Sequence, residues 1–514
     1  MNGSTGLLPW LTILAVLPLV GAMALMALPR GGAMPKQVAL GFSAAVLVLS
    51  IVVAAQYDTD GGFQFVEEHD WISSFGAHYA LGVDGLGLVL VLLTTILTPV
   101  VILASWNDAD EARWSVNAFL ALMLSVEGLS VGVFAATDVF LFYVLFEATL
   151  IPIYFLIGGF GGPQRSYAAV KFLLYSLFGG LLMLASVIGL YVVSSRTAGG
   201  PSYLLQDLMS MPIGRDTGRW LFLGFFVAFA VKAPMWPLHT WLPDAASEAT
   251  PGTSVLLVSI LDKIGTFGMM RFCLGLFPEA SRWASPVVMA FAVFSVIYGA
   301  LLAIGQNDIR RLIAYTSISH FGFIVLGIFA LTSTSQAGAA LYMFNHGLST
   351  GALFLVTGFL ISRRGSKMIS DYGGVEKVAP VLAGTFMVAG LSSLSLPGLS
   401  PFVSEFLVLA GTFSTSVVAA VIATLGIVLA ALYILLMYQR TMTGPVREST
   451  KHLRDLRPRE VAALAPLLAL IVVLGFFPKP ALDALNPTVT SLLDRVDVTD
   501  PAPTVATSPE GAPK

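Results

Sequence analysis

Six titratable side chains stand where an apolar chain pays most for charge: Glu147, Lys232, Lys263, His320, His346 and Glu405. Lys232 lies in LFLGFFVAFAVKAPMWPLHTW, two residues before Pro234, and Glu147 in the middle of TDVFLFYVLFEATLIPIYFLI. A lysine at the centre of an apolar span costs about 2.5–3.5 kcal/mol on insertion scales, so it has to face a protein-lined or hydrated interior. Burial penalises the charged form of acids and bases alike. An acid and a base placed together therefore hold each other ionised, and moving one alters how tightly the other keeps its proton. Imidazole titrates near neutrality and accepts on one nitrogen while donating from the other, which suits a relay. The chemistry these types support is the movement of protons or other ions through a membrane.

A secondary set comprises His239 beside Pro237, Glu127 inside an apolar run and Lys171 near the start of another. Each type also has a plain structural use. A static buried ion pair serves as well for Lys263 beside Asp262, and a hydrogen-bonded core position for a lone histidine. Lys171 and Arg271 lie near span ends, where snorkelling to the interface accounts for them. Asp138 and Asp308 suit helix N-capping or loop anchoring.

The elements that position these groups are membrane helices. The 514 residues are 56% hydrophobic and 11% charged, with mean hydropathy +0.84, whereas a soluble domain carries about a quarter charged residues. The single cysteine, Cys273, excludes a disulfide framework, an iron–sulfur cluster and a Cys-based zinc site. No basic region precedes the first apolar segment after MNGST, so that segment reads as a retained span. Apolar stretches of membrane-spanning length predict an all-α polytopic membrane protein of about fourteen transmembrane helices. Helix 7 is broken at Pro234/Pro237 and helix 12 at Pro397/Pro401. Of the 27 basic residues, 16 fall in loops on one side and 7 on the other, which places both termini outside. Glu147 precedes Lys232 by 85 residues, and His320 precedes Glu405 by the same interval. That spacing predicts two inverted five-helix repeats, helices 4–8 and 9–13. The expected units are 1–112 (helices 1–3 and an external loop), 113–277 and 278–443 (the two repeats), and 444–514. The last holds a cytoplasmic loop, helix 14 and an external Pro-rich tail.

The strings KAPMWPLHTWLPDA, QNDIRRLIAYTSISHFGF, NHGLSTGALFL, LFYVLFEATLIPIYFLIGG and LPGLSPFVSEF resemble the antiporter-like subunits of proton-pumping NADH:quinone oxidoreductase, respiratory complex I. The resemblance covers nearly the whole chain and is nearest to the M type, since Glu405 stands where the L, N and Mrp-type relatives usually carry lysine. It implies a proton-translocating subunit of a bacterial inner-membrane enzyme, coupled to quinone reduction in partner chains and performing no redox chemistry itself. Glu147 and Lys232 would form a charged pair, Lys263 a central relay, and His320 and His346 a path ending at Glu405. His239 would orient its neighbours or carry a proton. No cofactor is expected in this chain; FMN, iron–sulfur clusters and quinone would belong to partners, with L and N subunits on either side. Nucleic acid is not an expected partner; the lipid bilayer is. The alternatives are an Mrp-type sodium/proton antiporter subunit or a membrane-bound hydrogenase subunit. A haem held by His320 and His346 is disfavoured, because both belong to the quoted motifs.

Overall fold

A computed structural model describes residues 8–110, 112, 114–197 and 200–501. The Pro-rich end of the tail, residues 502–514, lies outside the described residues, as do MNGST and Arg113. Among the described residues, twelve helices are long and apolar enough to cross a membrane. In chain order, α1 (Trp10–Ala27), α2 (Met34–Ala55), α3 (Gly85–Ala104), α4 (Val116–Ala135), α5 (Val139–Phe160) and α6 (Arg165–Ser194) are spans 1–6. Span 7 is α7 (Arg215–Lys232) followed by α8 (Trp241–Glu248). Spans 8–11 are α9 (Pro251–Leu274), α10 (Pro278–Ile304), α11 (Ile309–Phe329) and α12 (Ser333–Arg364). Span 12 is α13 (Pro380–Ser393) and α14 (Ser400–Thr415), and spans 13 and 14 are α15 (Val417–Met442) and α16 (Pro458–Phe476). The chain is a multi-pass membrane protein.

Contacts between the connecting segments sort into two sets. On one face Lys36 pairs with Asp110 at 2.6 Å, Gly162 N donates to Glu248 O at 2.8 Å, and Lys367 meets Glu248 at 3.0 Å and Asp308 at 3.1 Å. On the opposite face Tyr203 N donates to Gly76 O at 3.0 Å and Arg495 Nε to Gly275 O at 2.6 Å.

Four expectations change. The expected external loop after α2 contains two strands that the sequence reading does not predict: β1 (Gln64–Ile72) and β2 (Ala77–Val83) pair antiparallel, and Glu67 of β1 bonds the start of α1. Glu67 accepts from Leu11 N at 2.7 Å and Asp138 from Leu141 N at 2.9 Å, satisfying first-turn amides that the helices leave open, and Asp138 also accepts from His78 N of β2 at 2.9 Å. Arg271 does not snorkel. It is enclosed, and its guanidinium makes a two-pronged bond to Asp84 at 2.6 and 2.5 Å while Asp84 caps α3 through Gly87 N. Lys171 does not snorkel either, since its amine donates to Asp244 at 2.6 Å and Arg311 holds the other oxygen at 2.5 Å. Beyond span 14, part of the expected tail is helix α17 (Lys479–Val496), whose Leu485, Val489, Leu492 and Val496 pack against α3, α10 and α12.

Candidate functional site

The proline breaks set the site. α7 ends at Lys232, and Ala233–Thr240 are not α-helical before α8 begins. The backbone groups freed there are taken up locally: Trp241 Nε1 donates to Val231 O at 3.0 Å and Trp236 N to Ser295 Oγ at 2.9 Å. In span 12 the gap from Leu394 to Leu399 contains Ser395, whose φ of 58° is in the left-handed region and whose hydroxyl donates to Glu405. Between the two breaks runs α9. Its Asp262–Gly268 segment is α-helical and flanked by π-helical turns at Leu256–Leu261 and Met269–Leu274, a local widening often found at functional positions.

On the α9–α14 side the groups form a continuous row. Lys263, with no exposed surface, lies 2.6 Å from His346 Nδ1 and donates to Val258 O at 2.7 Å. Its amine also stands 4.8 Å over the Phe321 ring, a favourable place for an ammonium. The His346 and His320 rings are 5.2 Å apart, edge to face, and His320 is 6.0 Å from the Tyr342 ring. Tyr342 Oη donates to Glu405 Oε2 at 3.0 Å. An ammonium donating to Nδ1 and a neutral amine accepting from Nδ1–H are the two ends of one proton exchange. His346 Nε2 and His320 Nδ1 have no hydrogen-bond partner, so each is free to bond a water between the rings.

At the α5–α7 side the expected Glu147–Lys232 charged pair is not a direct contact. Lys232 Nζ has no hydrogen-bond partner and faces the rings of Phe146 at 5.0 Å and Phe172 at 5.6 Å. Glu147 is only half-buried and instead leans into a notch in α6, where a Cβ on Gly180 would stand 1.7 Å from Oε1. The absence of a side chain at Gly180 is what lets the carboxylate lie there.

The secondary residues fall outside this row. His239 lies 5.1 Å from Tyr298 with its Nδ1 unbonded. Glu127 is enclosed in α4 with neither oxygen bonded, and Lys171 belongs to the Asp244–Arg311 cluster. Asp138 and Asp308 are N-caps, as expected. Sequence reasoning missed Tyr342 and Ser395. Tyr342 carried one signal, since it precedes His346 by four residues and so shares its helix face.

Fold and site define a polytopic membrane protein with a buried row of titratable side chains. Comparison with known proteins agrees: residues 136–430 match the family model described as NADH:quinone oxidoreductase/Mrp antiporter, TM. The chain is 52% identical to NADH-quinone oxidoreductase subunit M of Mycobacterium tuberculosis, over 97% of this chain and 96% of that one. A subunit in respiratory complex I from Thermus thermophilus with bound NADH superposes with TM-score 0.86 at 32% identity, covering 95% and 99% of the two chains. One in the Mrp complex from Dietzia sp. superposes at 0.83 with 20% identity, over 95% and 97%, which shows the shared fold alone. This chain belongs to the NADH:quinone oxidoreductase/Mrp antiporter membrane-subunit family.

Proposed function

We propose that this chain is the M-type proton-translocating subunit of an NADH:quinone oxidoreductase. The carrying observation is the Lys263–His346 contact at 2.6 Å, continued through His320 and Tyr342 to Glu405. Glu147 and Lys232 load the first half, Lys263 relays, the two histidines extend the path, and Glu405 terminates it; His239, Glu127 and Lys171 act at its margins. Glu147 supports the presence of neighbours, because a half-exposed carboxylate at membrane depth is costly in lipid and is relieved against another subunit. L- and N-type subunits are the flanking chains of this reading, and FMN, iron–sulfur clusters and quinone belong to partners. Both termini lie on the outer side of the bacterial inner membrane.

The division into 113–277 and 278–443 as inverted repeats has its own support. Asp138 caps the start of span 5 on one face, and Asp308 caps the start of span 10 on the other. Each bridges to the loop before a broken span, at Leu204 and at Met368. The reading is tested by purifying the chain from its native membrane. Co-purification with NADH-oxidising subunits and proton uptake coupled to NADH oxidation are expected; recovery with sodium/proton antiporter subunits alone would overturn it.

A further inference from the structure

We propose that Asp262 carries a proton between Lys232 and Lys263 and so joins the two halves of the buried row, an inference that rests on the proton-translocating reading above. Asp262 has no exposed surface, and neither carboxylate oxygen has a hydrogen-bond partner. Carboxylates buried for structural reasons in this chain are bonded: Asp84 holds Gly87 N and Arg271, and Asp138 holds two backbone amides. Asp262 has no such task, and an enclosed polar group left unbonded is costly.

Its position supplies one. α9 runs close against the backbone at the end of α7 at Gly265, where a Cβ would stand 2.6 Å from both Phe229 O and Ala233 N. That approach is beside the end of α7, next to Lys232. Asp262 lies one turn before Gly265 and Lys263 one residue further round, about 100° apart on the helix. The neighbouring positions therefore address different helices: Lys263 reaches His346 on α12, while Asp262 lies near the face of α9 that Gly265 presents to the end of α7. Lys232 Nζ is also unbonded, so both it and Asp262 can hold a bridging water.

The transfer balances in two steps. The Lys232 ammonium gives a proton to the Asp262 carboxylate, leaving a neutral amine and a carboxylic acid. The acid then gives a proton to the neutral Lys263 amine, restoring the carboxylate and forming an ammonium. With one mobile proton these three groups keep zero net charge at every stage. Without the carboxylate, the same proton would leave an uncompensated positive charge in the interior, which is what burial opposes most strongly.

The test uses the intact complex in inverted membrane vesicles, with Asp262→Asn, Asp262→Glu and Lys263→Ala compared at equal content of assembled enzyme. Proton uptake per NADH oxidised and the infrared difference band of protonated carboxyl groups under turnover are read together. Asp262→Asn is expected to assemble, to lower proton uptake severalfold and to lose a carboxyl band, while Asp262→Glu restores both in part. Wild-type pumping and an unchanged band in Asp262→Asn, with Lys263→Ala defective, would overturn the role of Asp262 alone. Wild-type pumping in both would overturn the proton-translocating reading itself. Should the Asn substitution block assembly, Asp262→Glu decides, since a carboxyl band that does not move with that substitution rejects the proposal.

Discussion

From Lys263 to Glu405 each side chain meets the next through a hydrogen bond or a ring contact, whereas Lys232 and Glu147 stand without bonds to one another. The first region is preorganised. Its two ends are already hydrogen-bonded, at Lys263–His346 and Tyr342–Glu405, and the histidines between are in ring contact, so water at the rings would complete it with little side-chain rearrangement. The second is open, and its two charged types depend on water or movement to connect. A route with one fixed and one loose half places its control in the loose half, where a shift of Glu147 changes what Lys232 experiences.

The largest effect expected is from Lys263→Ala, which removes the head of the fixed half. Proton uptake coupled to NADH oxidation should fall by about a hundredfold, the scale of losing a positioned proton-transfer group. Retained pumping would mean that the row is structural. Next, Glu147→Gln and Lys232→Ala should each reduce uptake by roughly tenfold, with the double variant little worse, because residues acting as one unit are non-additive. Additive losses would show that the open half is two independent sites.

Gly180→Ala sharpens the contrast without touching a titratable group. The new methyl collides with Glu147 Oε1, so overpacking should cost about 1–3 kcal/mol and pumping should resemble that of Glu147→Gln. Thermal inactivation of the complex measures the first effect, and combining Gly180→Ala with Glu147→Ala should restore stability without restoring pumping. The smallest effect is in the fixed half. Tyr342→Phe removes one hydrogen bond to Glu405, worth about 0.5–1.5 kcal/mol, and should slow uptake only a few-fold; an unchanged rate would take the hydroxyl out of the path.

Charge inside apolar runs made Glu147, Lys232, Lys263 and Glu405 legible before any coordinates, and the prolines located both breaks. The contacts were less legible. Tyr342 and Ser395 are uncharged types common in membrane helices, so nothing in their composition marks them. The partner of Arg271 is 187 positions away, a separation that local pattern does not reach. The β1–β2 hairpin was hidden because its strands are acidic as well as alternating. α17 was hidden because it is amphipathic, with Leu485, Thr488, Val489, Leu492 and Val496 on one face, and interrupted by Pro487. A search for continuous apolar stretches passes over such a helix.

The clamp between Asp84 and Arg271 has a consequence for biogenesis. Membrane chains are made from the N-terminus, so Asp84 and the hairpin beside it exist long before span 8. An enclosed arginine, even near the end of a span, is costly without a counter-ion. Here its counter-ion is already waiting, fixed by the cap of α3. The bond thus ties the end of span 8 to a residue five spans earlier in the chain, and losing Asp84 would leave an enclosed guanidinium without its counter-ion.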